Sequence, residues 1–536
     1  MNLSLLNQKL FTARTLAEVG MLRPMRPDKL VRIADALRRW GPTPAAGYTV
    51  SAIRHPASLA IIDELGTLTF ADVHRRTNAL AHSLADAGIK QGDGVAIMCR
   101  NHRGFVDAVV ALSKLGANAL YLNTAFAGPQ IADVVKREGP AALIYDAEFE
   151  GLVGDAGEGR KRFIAWRDGG EASAPLIEDL IASGDTSDLS PPPEKGRVVI
   201  LTSGTTGAPK GAQRRQPESL DPAAALFSKI PLRAGERTMI AAPMFHSWGF
   251  VHFTLGMGLG STLVLRRKFD PEDTISAIAQ HECTALVVVP VMLQRILELP
   301  AETIAKYDLS ALRVIAASGS ALPGELATRL MDRFGDVLYN LYGSTEVAWA
   351  TIATPEDLRA APGTAGRPPR GTVVKLLDDD GNEVPPGETG RIFVGNEMAF
   401  DGYTGGGGKQ NIRGPLSSGD VGHFDSAGRL FIDGRDDEMI VSGGENVFPR
   451  EVEDLLHDHA GIDEVAVIGV DDEQFGQRLK AFVVRCSGST VAEDELKDYV
   501  KANLARYKVP REIVFLDELP RNATGKVLKR ELAERD

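Results

Sequence analysis

Short hydrophobic runs, rich in β-branched residues and leucine, recur along this chain between longer stretches with helical spacing. The runs at 59–62 and 67–70 predict a hairpin around Glu64, Leu65 and Gly66. A helix is predicted over 71–87, a strand over 94–99, a helix over 105–115 and a strand over 119–122. Further strands are predicted at 142–145, 162–165, 198–201, 263–265, 285–289 and 314–316. This alternation predicts a layered α/β architecture with largely parallel sheets. The pattern changes over 371–434, where short strands separated by turn clusters at 378–381, 385–387 and 425–428 predict a small β-rich subdomain. The tetraglycine 405–408 is expected to be a mobile loop. After Gly434-Arg435-Asp436-Asp437 come a strand at 439–441, a helix at 449–457, strands at 465–470 and 480–484, and a helix at 493–504. That is enough for a small α+β domain.

Length and composition sharpen the picture in three respects. A chain of 536 residues is expected to hold at least two domains, because single cores rarely grow beyond roughly 250–300 residues. A net charge of −12 argues against a nucleic-acid partner, since binding phosphate backbones needs a basic field. The three cysteines, Cys99, Cys283 and Cys486, are far apart and form no ligand or disulfide pattern, which fits a reducing cytoplasm. No apolar run reaches the length that spans a bilayer, and the N-terminus lacks the features of a signal peptide.

The extension 1–45 carries a local excess of charge. Arg23, Arg26, Lys29, Arg32, Arg38 and Arg39 are balanced only by Asp28 and Asp35. Leu30, Ile33, Ala34, Leu37 and Trp40 recur at helical spacing, so 21–40 predicts a basic amphipathic helix. Such a helix can lie on the inner face of an anionic membrane. Packing of its apolar face on the protein's own body is the preferred reading.

Candidate chemistry begins at 201–211. Behind the strand at 198–201 stand Thr202, Ser203, Gly204, Thr205, Thr206, Gly207 and Lys210. Glycines turn backbone N–H groups toward an anion, hydroxyls add donors and the lysine adds a compact charge. The spacing rejects a Walker loop, because Pro209 and Gly211 flank Lys210. Taken alone, the segment reads equally as a surface turn. A second cluster, 339–346, holds Tyr342, Gly343, Ser344, Thr345 and Glu346, which could stack a purine, hold a phosphate and coordinate magnesium. Ser318, Gly319 and Ser320 precede it. His246, Trp248 and Gly249 lie in a stretch with Phe245 and Phe250, where a lone histidine is more often a core residue than a catalyst. Asp420 and Arg435 could together grip a ribose. Lys526 follows a Thr-Gly turn, a flexible mount for a cation. Ser442, Gly443 and Gly444 form a small-residue loop.

Six such motifs in this order, from 202 to 526, resemble the adenylate-forming superfamily of acyl-CoA synthetases, luciferases and peptide-synthetase adenylation domains. With the less distinctive start near Leu68, the resemblance covers nearly the whole chain. Two stretches depart from the family pattern: Ser318-Gly319-Ser320 replaces Gly-Gly-Ala, and Leu416-Ser417-Ser418 replaces an aromatic-Arg-Thr lead into Gly419-Asp420.

The resemblance implies an α/β enzyme with an AMP-binding domain over 46–434, a hinge at 435–437 about Asp437, and a mobile C-terminal domain over 438–536. It implies ATP, Mg2+ and coenzyme A. Residues 202–207 and Lys210 would hold the outer phosphates, Gly319 and Ser320 would lie beside the adenine, Tyr342 would stack on it, and Gly343 would belong to the same ATP site. Thr345 would contact the α-phosphate, Glu346 would bind magnesium, and Asp420 and Arg435 the ribose. Lys526 would be catalytic in forming the acyl-adenylate. Ser442, Gly443 and Gly444 would admit the CoA thiol, and His246, Trp248 and Gly249 would line the acyl pocket. The expected function is ATP-dependent activation of a small-molecule carboxylic acid and its transfer to CoA. Phe245, Trp248 and Phe250 with the basic helix favour a medium- or long-chain fatty acid. The alternatives are an aryl-CoA ligase, a ligase serving a carrier protein, and a silent nucleotide-binding regulator.

Overall fold

The computed structural model describes residues 3–202, 210–214, 219–398, 400–404, 406–442, 445–472, 476–504, 506–522 and 525–534. Among the described residues, one sheet has eight strands. Its inner strands, Leu338–Ser344, Val314–Ala317, Ala285–Val288, Arg237–Ile240, Thr262–Leu265 and Leu59–Asp63, run parallel. Antiparallel strands Ala348–Ala353 and Gly66–Thr69 close its edges. The middle strands are buried along their whole length. This is why they read as unbroken apolar runs rather than alternating ones.

A second sheet orders Phe400–Tyr403, Lys210–Arg214, Val198–Thr202, Asn118–Tyr121, Gly94–Met98, Ala142–Asp146 and Lys161–Trp166. Its first two strands are antiparallel additions to a parallel set. The helix Arg103–Leu115 packs on this sheet and Ser247–Leu259 on the first. Their Phe105 and Phe253 meet edge-on, with ring centroids 6.2 Å apart. One continuous core therefore spans both layers. The helix Phe70–Asp86 starts where the sequence places it, because Thr69 and Asp72 form a reciprocal capping box.

Strands Val373–Leu377, Gly390–Gly395, Leu416–Phe424 and Leu430–Arg435 form a four-stranded antiparallel sheet. Beyond it, Ile440–Ser442, Glu445–Val447, Ile462–Asp472, Gly476–Arg485 and Glu512–Leu516 make the C-terminal sheet. The helices Pro449–His457, Glu493–Asn503 and Lys529–Ala533 accompany it.

Three helices, Leu3–Glu18, Pro27–Trp40 and Pro44–Arg54, precede the first strand. The first anchors itself by Leu16 and Val19 in the main core, and Arg370 stacks on Phe11 at 4.5 Å. The second divides the apolar face expected of it. Ala36 and Trp40 pack with Ala45 and Ala46 against Val50, Ile53 and Leu189, while Leu30 and Leu37 stay in solvent. No helix among the described residues is long and apolar enough to cross a membrane.

Candidate active site

The parallel strands of the first sheet all end on one edge, and the loops leaving it border a cleft of about 700 Å³, the usual ligand position in open α/β sheets. Gly319 and Ser320 follow the strand Val314–Ala317, and Tyr342 and Gly343 end the strand Leu338–Ser344. Gly319 has φ +99°, a left-handed conformation that favours glycine. At Gly343 a Cβ would lie 1.9 Å from the carbonyl oxygen of Ala348. Only glycine lets these two strands approach so closely.

Asp420 and Arg435 are directly opposite each other on neighbouring antiparallel strands, with Arg435 Nη1 3.8 Å from Asp420 Oδ1. The Tyr342 hydroxyl donates to Asp420 Oδ2 at 2.5 Å, joining the four-stranded sheet to the first sheet. Burial pushes the Asp420 carboxyl above its usual range, against the pull of Tyr342 and Arg435.

Glu346 accepts a hydrogen bond of 2.8 Å from the Tyr403 hydroxyl. The ammonium of Lys210 lies over the same tyrosine ring, 5.4 Å from its centre. The cause is strand pairing, since Phe400–Tyr403 lies antiparallel to Lys210–Arg214. Thr345 is buried, and its hydroxyl lies 3.0 Å from that of Ser247.

Lys526 enters the cleft from the C-terminal part. Its backbone N–H donates to Asn522 Oδ1, and the N–H of Asn522 donates to the Lys526 carbonyl, both at 2.9 Å. Arg521 donates to the Gly525 carbonyl at 2.6 Å and pairs with Glu464 at 3.0 Å. Gly525 has φ +79°, and a Cβ there would lie 2.2 Å from Val291 Cγ1. The turn thus seats directly on the helix Pro290–Leu297. Burial, and then Arg435, lower the Lys526 pKa, while Glu438 and Asp420 oppose the shift.

His246 lines the cleft, and burial pushes its imidazole down to about 4, so it is neutral at physiological pH. Trp248 lies behind it on the helix Ser247–Leu259, its indole N–H donating to the Ala316 carbonyl at 3.3 Å. His252 meets the indole edge-on at 4.4 Å. Burial holds that imidazole down at about 3, and its Nε2 has no hydrogen-bond partner among the described residues. A Cβ on Gly249 would stand 2.3 Å from the Pro243 carbonyl oxygen. The smallness of Gly249 therefore serves backbone packing in this structure.

The expected sites at Ser203, Gly204, Thr205, Thr206, Gly207, Gly443 and Gly444 lie outside the described residues. Thr202 ends the strand Val198–Thr202, Ser442 ends Ile440–Ser442, and Asp437 lies in the turn Asp436–Glu438. Their side chains are outside the described set.

Sequence reasoning missed Tyr403, which it passed over beside the tetraglycine. It also missed Asn340, a buried cleft residue whose Oδ1 has no partner among the described residues. Asn340 was legible as the polar residue two places before Tyr342 in an otherwise apolar strand. The fold also brings Cys99, His102 and Asp146 within metal-ligating distance of one another. That trio is structural, because His102 Nε2 faces Asp146 at 2.8 Å and Nδ1 accepts from the Gly104 N–H at 3.0 Å.

Residues 49–404 match the family described as AMP-binding enzyme, and 451–526 match the AMP-binding enzyme C-terminal domain. The chain therefore belongs to the AMP-binding, adenylate-forming superfamily. It is 34% identical over 490 residues to a feruloyl-CoA synthase of Amycolatopsis sp., covering 90% of this chain and 96% of that protein. It is also 34% identical over 491 residues to an indoleacetate–CoA ligase of Aromatoleum aromaticum, covering 88% and 94%. Among solved structures, the o-succinylbenzoate CoA synthetase of Bacillus subtilis, in complex with its acyl-adenylate intermediate, superposes with a TM-score of 0.79. It is 28% identical over 91% of this chain and 98% of that one. Within the superfamily the chain is an ATP-dependent acyl-CoA synthetase, an AMP-forming acid–thiol ligase acting on a small-molecule carboxylic acid and CoA.

Proposed function

We propose that the acid is an aromatic one, so that the chain is an aryl-CoA ligase rather than a ligase of medium- or long-chain fatty acids. The observation that carries this reading is the wall behind His246. Trp248, buried, tied to the Ala316 carbonyl and edge-on to His252, fills the space behind this cleft residue with fixed aromatic groups, which supports a compact ring-bearing acid over a long flexible tail. The named relatives act on ferulate, indoleacetate and o-succinylbenzoate, all ring-bearing acids, which supports the same choice. A CoA-dependent AMP-release screen over straight-chain and aromatic acids tests it. A preference for long straight chains would overturn it.

In the proposed mechanism the acid carboxylate lies beside neutral His246 and attacks the α-phosphate of ATP in line, with pyrophosphate leaving. Such a transfer needs positioning and charge neutralisation rather than covalent help. Asp420 and Arg435 fix the ribose, Tyr342 offers a ring face to the adenine, and Asn340 Oδ1 accepts from the exocyclic amine. Lys210 and the loop before it hold the outer phosphates. Glu346 offers the single carboxylate that a magnesium ion needs when substrate phosphates and water supply its other ligands. Lys526 and Thr345 meet the charge that develops between acid and phosphate. The C-terminal domain, 438–536, then turns about Asp437, withdraws Lys526 and presents 442–444 to the CoA thiol. The thiolate attacks the acyl carbon and AMP leaves.

A further inference from the structure

The structure leaves an apolar stripe uncovered on the extension that precedes the AMP-binding match. Within 22–37, Leu22, Leu30, Val31 and Leu37 are 58%, 50%, 70% and 50% exposed. These are four of the eleven large apolar side chains exposed among the described residues. Scattered exposure of this kind is ordinary, but clustering is not. Leu30, Ala34 and Leu37 are spaced to share one side of the helix Pro27–Trp40, while Ala36 and Trp40 turn inward to the body.

Basic side chains flank the stripe. Residues 21–40 carry a net charge of +4, and the rest of the chain carries −16. Asp28 and Asp35 pair with Arg26 and Arg38, each at 3.0 Å, but these pairs are exposed and hold little energy.

We propose that this stripe docks the enzyme on an anionic membrane surface. Leu22, Leu30, Val31 and Leu37 enter the boundary between headgroups and acyl chains, and Arg23, Arg26, Arg32 and Arg38 meet the lipid phosphates. The helix lies on the bilayer and does not cross it. The charge distribution favours this occupant. A second copy docking through a two-fold contact would set two positive stripes against each other. The remainder of the chain, at −16, is on balance repelled by an anionic bilayer, so the charge pattern favours approach through this basic stretch. The inference goes beyond the acid-activating reaction and does not depend on which acid is used.

Co-sedimentation of the full-length protein with vesicles tests it, comparing phosphatidylcholine alone with phosphatidylcholine containing phosphatidylglycerol. The expected result is binding to the mixed vesicles only, weakened by salt. L30E/L37E and, separately, R32E/R38E should each lower the bound fraction about tenfold, with CoA-dependent AMP release from a soluble acid unchanged. Equal binding by the parent and both variants would overturn the proposal. So would equal binding to both vesicle types, or a parent dimer in sedimentation velocity that L30E/L37E dissolves, which would assign the stripe to a second copy.

Discussion

Lys526→Ala is expected to lower ATP–pyrophosphate exchange about 10²–10³-fold while leaving thioester formation from supplied acyl-AMP within about twofold of the parent. The side chain stands near Asp420, Arg435 and Glu438 and is exposed to the cleft, open to an incoming substrate. On the proposed assignment it acts only while acid and phosphate are joining, so its removal divides the two half-reactions. Equal loss in both would sink the division of labour. The shift of this ammonium gives a second readout. Burial and Arg435 lower its pKa from the usual lysine range, so its charge is present at low pH and is lost as pH rises through the lowered value. Adenylation should therefore carry a basic limb that falls below the ordinary range of lysine titration. Thioester formation from acyl-AMP should lack it, and Lys526→Ala should abolish it.

Asp420→Ala is expected to lower kcat/KM for ATP about 10²-fold or more, with the larger part in KM. Two losses combine here. The carboxylate can accept from two ribose hydroxyls at once, and no other side chain in the cleft occupies its cross-strand place opposite Arg435 among the described residues. Its removal also strips the Tyr342 hydroxyl of its carboxylate acceptor, leaving the ring less well fixed. Asp420→Asn keeps an acceptor and should recover part of the loss. Since burial raises the Asp420 pKa, ATP affinity should weaken on acidification at a pH above the ordinary aspartate range. If Asp420→Ala left KM for ATP unchanged, the ribose assignment would fail.

Much of this was written locally. The parallel strands were legible because burial on both faces demands unbroken apolar runs, and the helix Pro449–His457 matched its predicted span. Asp420, Arg435 and Lys526 could each be named from sequence. Their meeting could not, because cross-strand register and the seating of one domain on another are set by contacts distant along the chain. Tyr403 illustrates the limit. Its value comes from lying beside Lys210 and Glu346, and nothing in its own neighbourhood advertises either. The helix Leu3–Glu18 and the strand Glu512–Leu516 went unread for a related reason, as each is defined by the surface it packs on. The aromatic character of 245–250 was legible, but the direction in which Trp248 points was not. That orientation is fixed by the carbonyl of Ala316.

The close seating of Gly525 on Val291 makes this position a natural wedge point. A Cβ added there would strike Val291 on the helix Pro290–Leu297 while Lys526 is in the cleft, a clash that the proposed withdrawal of the turn would relieve. On the proposed rotation about Asp437, a bulkier residue at 525 would disfavour the adenylating posture and bias the enzyme toward the thioester-forming one. The bare backbone at 525 would then set the balance between the two half-reactions, and a graded series of substitutions there would act as a dial on it.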